Sequence, residues 1–378
     1  MISLDNEQKC LLELIKASLF GVSTDFSKDV NWEKVFELSK AQCIVPLISS
    51  SVPQDYRNEW LELSYQSKAR FMQILYEQNS LVNLLKSNDI SFIILKGCAA
   101  AIYYPVPSVR TFGDIDFYIS NDSCDSTIKI LKENGYYLLS SNERHYVFEK
   151  NGVDFELHYR FSCDRYNDID QYVTNGLSNA VDYKIGNYSY PGLPSYENGL
   201  VLLGHIMQHL KGLGIGLRQI IDWMMFVHSE LDDSSWNDHF KTLAAESGLE
   251  RLAVTVTYMC KMWLGLPDEI TWCNVADKEV ADQLLIRILD DGNLGHERAH
   301  LEFVKASVKN EGVFKYLQST GMIHWTLAQK YAVFRPFAWL YQLFRYACKG
   351  IVGLLTGKKV FMKGKHIMSI EELWKELE

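Results

Sequence analysis

Asp114 and Asp116 stand two residues apart in the run DIDFYI. On a β-strand that spacing sends both carboxylates to one face, while Ile115 and Phe117 go to the other. A second alternating run, VDFELHYRF at residues 153–161, carries Asp154, Glu156, His158 and Arg160 on one face. Val153, Phe155, Leu157, Tyr159 and Phe161 form its apolar face. If the two strands neighbour each other, Asp114, Asp116 and Glu156 converge. Three carboxylates on one sheet face repel strongly unless cations lie between them. Oxygen-only ligands on a rigid surface suit Mg²⁺, which also binds substrate phosphates. Two such ions about 4 Å apart clamp the attacking and leaving oxygens of phosphoryl transfer. Taken alone, D-x-D is more often a solvated strand face.

Upstream, ISFIILKG reads as a buried strand over Ile90–Leu95 that ends in Lys96-Gly97 and opens into a helical turn at Cys98–Tyr104. A glycine at a strand-to-helix turn lets a phosphate approach backbone N–H groups. Lys96 and Arg110 can add positive charge there. Pro105 and Pro107 end the turn and begin a loop. Asn121 or Asp122 is placed to cap a helix over Ser123–Asn134, which Gly135 terminates. Tyr136–Leu139 and His145–Glu149 read as strands, and Asn151-Gly152 is the strongest hairpin signal in the chain.

Around this α/β unit the apolar period becomes helical. Residues 1–88 hold three such runs, NEQKCLLELIKASLF, WEKVFELSKAQCIVPLI and YRNEWLELSYQSKARFMQILYEQNSLVNLLK. Helical spacing returns from about Glu197 and is broken by Gly and Pro near 265–268 and 292–295. The expected units are an N-terminal helical segment at 1–88, a core at 89–190 and a C-terminal helical region at 191–378. There is no internal repeat or low-complexity tract.

Of 378 residues, 47% are hydrophobic and 22% charged, which excludes a disordered chain and an ordinary multi-span membrane protein. The net charge of −9 argues against extensive nucleic-acid contact. That charge is unevenly placed. Residues 312–370 contain no acid and nine Lys/Arg; the last eight residues carry −3, leaving −15 on residues 1–311. The basic block suits a phosphate, a polyanion or anionic lipid, or it pairs with the acidic body. Within it, residues 335–359 have the make-up of a helix that lies in an anionic membrane interface or is buried against the protein. Eight dispersed cysteines and no CxxC pair read as reduced core residues. The polar N-terminus shows no signal peptide, so a cytoplasmic chain, peripheral to the membrane if 335–359 binds lipid, is expected.

ILKGCAAAIYYPVPSVRTFGDIDFYI at 93–119 and GVDFELHYRF at 152–161 resemble the bacterial uncharacterised nucleotidyltransferase-like family, within the polymerase-beta-type superfamily. The likeness extends more loosely to residues 205–223 and 290–295. It implies an α+β fold, a small mixed β-sheet nucleotidyltransferase core flanked by N-terminal helices and a C-terminal helical region. Carried over by position, Gly97 is the glycine of the nucleotide-binding turn, Asp114 and Asp116 the paired metal ligands, and Glu156 the third carboxylate and acceptor base. Lys96, Arg110, His158 and Arg218 are the further nucleotide-binding candidates. The implied cofactors are two Mg²⁺ ions, with a nucleoside triphosphate as co-substrate. The implied reaction is attack of an acceptor hydroxyl on the α-phosphorus, with pyrophosphate leaving. The chain departs from the superfamily in having Lys96-Gly97-Cys98 where Gly-Ser or Gly-Gly is usual, and in a longer spacing from Gly97 to Asp114. A catalytically silent nucleotide-binding scaffold is the alternative.

Three other patterns carry possible chemistry. His296-Glu297-Arg298-Ala299-His300 fits H-E-x-x-H, the zinc-protease motif. Gly292 and Gly295 precede it where such a helix should already be established, and Arg298 sets a cation beside the metal, so a chance match is expected. GLGIGLR at 212–218 follows a helix rather than a strand and fails the dinucleotide-binding context, though Arg218 can still face phosphate. His205 and His209, one helical turn apart, form either a core hydrogen bond or a wall of the active-site cleft.

Overall fold

The computed structural model describes residues 4–23, 26, 29–142, 144–161, 167–211, 214–292, 312–325, 327–328, 331–344, 373 and 376–377. The H-E-x-x-H run and residues 345–359 lie outside them. The fold is α+β, built on a seven-stranded mixed sheet in the order β3-β4-β5-β2-β1-β7-β6. β1 (Phe92–Leu95), an interior strand, has all four residues buried. β2 (Asp114–Ile119) lies antiparallel to β1, with Leu95 opposite Asp116. β5 (Val153–His158) runs parallel to β2, with Asp116 opposite Glu156 and Tyr118 opposite His158. β4 (His145–Lys150) pairs antiparallel with β5, and β3 (Tyr137–Ser141) is an exposed edge. β7 (Tyr188–Gly192) and β6 (Val181–Ile185) complete the other side; the sequence expectation contained neither strand.

The period-two pattern divides the sheet into two faces. Phe92, Ile94, Ile115, Phe117, Ile119, Val153, Phe155 and Leu157 enter one apolar cluster. That cluster includes Phe71, Ile74, Leu75, Leu81, Val82 and Leu85 of α4 (Asn58–Ser87), a 30-residue helix about 45 Å long. Ile93, Leu95 and Tyr118 point the opposite way, into a core shared with α7 (Asn167–Ser178) and α8 (Ser195–Lys211). Asp114, Asp116, Glu156 and His158 have the strand parity of this second face.

The β4–β5 turn sets the parity. Asn151 (φ 54°) and Gly152 (φ 72°) both take positive φ, as a tight two-residue hairpin with right-handed strand twist requires. A stripe of α4 holds the turn from outside. Arg70 donates to the carbonyls of Gly152 (2.8 Å) and Gly113 (2.9 Å), Gln73 donates to Asn151 O, and Asn151 donates to Glu77 Oε1.

The helical layer draws on both ends of the chain. α1 (Asn6–Phe20), α2 (Trp32–Ala41) and α3 (Val45–Ile48) share one apolar core with α8, α9 (Leu217–Glu230), α12 (Glu250–Leu264) and α13 (Lys278–Asp291). The short helices α5 (Gly97–Ala101), α6 (Cys124–Glu133), α10 (Asp233–Ser235) and α11 (Lys241–Glu246) complete the order to that point. Buried Gln42 ties three of these parts together: it donates to Ile288 O (2.9 Å) and accepts from Leu217 N (2.7 Å) at the start of α9. Gly199 lets α8 approach α9, since a β-carbon there would sit 2.2 Å from the Phe226 ring. Cys10, Cys98, Cys124, Cys260 and Cys273 are free and buried, as expected of reduced core thiols, and Cys43 is free and half-buried. No helix among the described residues is long and apolar enough to cross a membrane. Phe334, Phe337, Leu340, Leu343 and Phe344 of the basic block are exposed.

Candidate active site

The sheet face opposite α4 opens into a cavity of about 380 Å³. Lys96, Gly97, Asp114, Asp116, Glu156 and His158 form its sheet side. His205, Gln208, His209, Gly214 and Arg218 face them from α8, the following loop and α9. The parallel register of β2 and β5 therefore brings together the three carboxylates that the alternation singled out.

Asp116 is the most enclosed of the three. Its Oδ1 accepts from Lys96 Nζ at 2.6 Å and from His158 Nε2 at 2.8 Å. A carboxylate can only accept, so His158 carries its proton on Nε2. The same nitrogen lies 3.4 Å from Glu156 Oε2. Oxygen atoms of Asp116 and Glu156 and a nitrogen of His158 all fall within 4.8 Å of one another, close enough to share an ion. Burial alone would raise the Asp116 carboxyl, but the Lys96 ammonium and the His158 ring outweigh it and hold the group below the usual carboxylate range. Burial would likewise lower Lys96; Asp116, Glu156 and Asp114 reverse that and stabilise its charge.

Asp114 has no such relief. Among the described residues it makes no side-chain hydrogen bond or ion pair. Burial first, then the charges of Asp116 and Glu156, push its carboxyl up to about 6, against the weaker pull of Lys96 and Arg218. Asp114 thus keeps a like-charge repulsion that a bound cation would relieve.

The turn before Gly97 departs from expectation in an informative way. A β-carbon at Gly97 would meet only Asp114 O and the Phe112 ring, each at 3.7 Å, which is ordinary contact. The protein's own packing does not demand a glycine there. The strained residue is Lys96, at φ 46°, ψ −120°. A side chain in that region costs on the order of 1–3 kcal/mol, and glycine adopts it freely. Lys96 is nonetheless present, and its ammonium is buried against Asp116.

Arg110 lines the cavity, but its donors are engaged. Nε and Nη2 each lie 2.7 Å from the two oxygens of Asp222 in a bidentate pair, and Nη1 donates to Thr111 O. Tyr104 O–H donates to the same carboxylate at 2.7 Å. This buried group joins the β1–β2 connection to α9 and so fixes the approach to Asp114. Arg218, in the first turn of α9, also faces the cavity. Its Nη1 donates to Thr111 O at 3.4 Å, and its buried Nε has no partner among the described residues.

His205 and His209 line the cavity as a hydrogen-bonded pair, Nε2 to Nε2 at 2.8 Å. His209 Nδ1 donates to Gly214 O at 3.3 Å, which leaves its Nε2 bare to accept from His205. Burial, His209 and Lys96 keep His205 well below its ordinary value, and burial and Lys96 bring His209 down to about 4. Both rings are neutral at pH 7. Arg144, His145 and Phe161 also line the cavity and were not singled out from sequence. His145 was reachable: counting back from the two-residue turn pairs it with His158, and the rings stand 5.1 Å apart.

Residues 28–265, more than half of the chain, match the family described as uncharacterised nucleotidyltransferase. The crystal structure of an antigenic nucleotidyltransferase-like protein from Paracoccidioides brasiliensis is similar at 15% identity, over 52% of this chain and 94% of that one, with a TM-score of 0.33. No curated protein matches the sequence.

Proposed function

Because the chain belongs to the uncharacterised nucleotidyltransferase family, we propose that it moves a nucleoside monophosphate from a nucleoside triphosphate to a hydroxyl acceptor, with divalent-metal help and release of pyrophosphate. The observation that carries this reading is the pairing of Asp116 with Glu156, with Asp114 on the same face and without a partner among the described residues. The donor set fits a hard cation: three carboxylates on one sheet face, with Asp114 repelled by the other two. Asp114, Asp116 and Glu156 would hold Mg²⁺, which when bound supplies Lewis-acid stabilisation of charge on the phosphoryl oxygens.

The chain's own groups account for the rest. Lys96 and Arg218 place positive charge on two sides of the cavity, where the triphosphate's negative charge gains most. Glu156, at the cavity wall, accepts the acceptor's hydroxyl proton on a carboxylate oxygen. The neutral His205–His209 pair and Gln208 face it from α8 and orient the acceptor. The Arg110–Asp222 pair holds the loop that enters β2, which keeps Asp114 in place without touching substrate.

The test is a thermal-shift screen with ATP, GTP, CTP and UTP, each with and without Mg²⁺, followed by pyrophosphate release. A ligand at 100 times its Kd adds about 2.7 kcal/mol. The expected result is a Mg²⁺-dependent shift with one nucleotide, lost in the Asp114→Ala/Asp116→Ala variant. Turnover unchanged in that variant refutes the reading. The Lys96–Asp116 pair favours a second reading, a silent nucleotide-binding scaffold, which predicts the shift without pyrophosphate release.

A further inference from the structure

We propose that Lys96 is a built-in cation that takes one of the two cation positions the three carboxylates would otherwise offer, leaving the site to a single divalent ion. The inference rests on the metal-dependent reading above and narrows it.

Three observations converge. The first is the backbone. At φ 46°, ψ −120° the turn is shaped for glycine, yet it carries the longest aliphatic amine available. Strain of this kind persists where the surrounding structure overrides it, and here the reward is the placement of the ammonium. The second is occupancy. Asp116 Oδ1 already accepts from Lys96 Nζ at 2.6 Å and from His158 Nε2 at 2.8 Å, so this oxygen is saturated and closed to an ion. The third is charge. The Lys96 ammonium pairs directly with Asp116 and so supplies, within the carboxylate group itself, positive charge that a second ion would otherwise bring. Among the other cations that line the cavity, Arg110 is pinned to Asp222 and Arg218 contacts Thr111 on the α9 side. A fixed ammonium on Asp116 also orients that carboxylate before any ion arrives, which a mobile metal cannot do.

The experiment counts ions. The full chain, Lys96→Gly and Lys96→Arg are dialysed to equilibrium against Mn²⁺ alone, and the bound metal per chain is measured. Glycine suits the turn and removes the ammonium; arginine keeps the charge. The expected counts are one for the native chain, two for Lys96→Gly and one for Lys96→Arg. Paramagnetic resonance of Lys96→Gly should show the coupled spectrum of a manganese pair, absent from the native chain. Equal counts in the native chain and Lys96→Gly overturn the inference while leaving the metal-dependent reading standing. Two ions in the native chain do so whatever the variants show, including a variant that fails to fold. No manganese in any of the three proteins overturns the metal-dependent reading itself, and this inference with it.

Discussion

The unpaired carboxylate of Asp114 makes the metal-free protein less stable than it need be, and the size of that penalty follows from the site. In the folded chain Asp114 keeps its proton up to about pH 6; its ordinary value is 3.8. Between those values the folded state binds more protons than the unfolded state, so stability falls as pH rises through this window. Above pH 6 the whole penalty is present. At 1.36 kcal/mol per pH unit it reaches about 3 kcal/mol, and water in the cavity screens part of it. The substitution Asp114→Asn removes the charge and keeps the shape. An unfolding entropy of about 2.1 cal/mol/K per residue gives roughly 0.8 kcal/mol/K for this chain. The variant should therefore melt up to about 4 °C above the native protein at pH 8 in chelator. At pH 4.5 the gap should shrink to about a third of that, because both forms are then largely neutral at this position. Circular dichroism melts at the two pH values, in chelator, are the assay. A variant no more stable than the native chain at pH 8, or a gap independent of pH, refutes the electrostatic account. Added Mg²⁺ should stabilise the native chain and leave the variant nearly unmoved.

Two further outcomes are expected. Arg110→Met strands the buried Asp222 carboxylate and should cost about 3–5 kcal/mol in chemical denaturation, much of it recovered in Arg110→Met/Asp222→Leu; a loss below 1 kcal/mol would show that the pair does not hold the β1–β2 connection to α9. The exposed Phe337, Leu340 and Phe344 in an acid-free basic block should bring the full chain down with phosphatidylserine vesicles at low salt, with release at high salt and loss of binding in Phe337→Glu/Phe344→Glu. Equal sedimentation with neutral vesicles would remove the electrostatic part of that expectation.

What could be read from sequence follows from where its signals are local. β2 emerged with the bounds Asp114–Ile119, and α1 with Asn6–Phe20, because each combines an unbroken period with clear ends. The run over 32–48 became two helices because Cys43 takes φ 56° and turns the chain between them. Ser120, not Asn121 or Asp122, stands before the first helical turn, which opens as a 3₁₀ segment at Asn121–Ser123 ahead of α6. β6 and β7 escaped notice because they are short and polar at one edge, and Pro191 argues against a strand. Their Gly186-Asn187 turn was the signal available. The acidic face was legible because strand parity is a local rule. The partner of Arg110 was not, since Asp222 lies 112 residues away. Nor was the backbone of Lys96, because nothing in the letters K-G announces a lysine in a conformation suited to glycine.

The hold of α4 on the Asn151-Gly152 turn has a consequence for how this chain can vary. Surface turns ordinarily absorb insertions and deletions. This one cannot absorb a single residue. Shifting β5 by one position against β2 would turn Phe155 and Leu157 toward the cavity and bury Glu156 and His158 beneath the sheet against α4. The protein would keep its composition and nearly all its packing while its chemistry inverted from charged to greasy. Length at this turn is thus under a constraint that no residue of the cavity itself imposes. Relatives that share the reaction should agree in the length of this β4–β5 turn more strictly than in the identity of its residues.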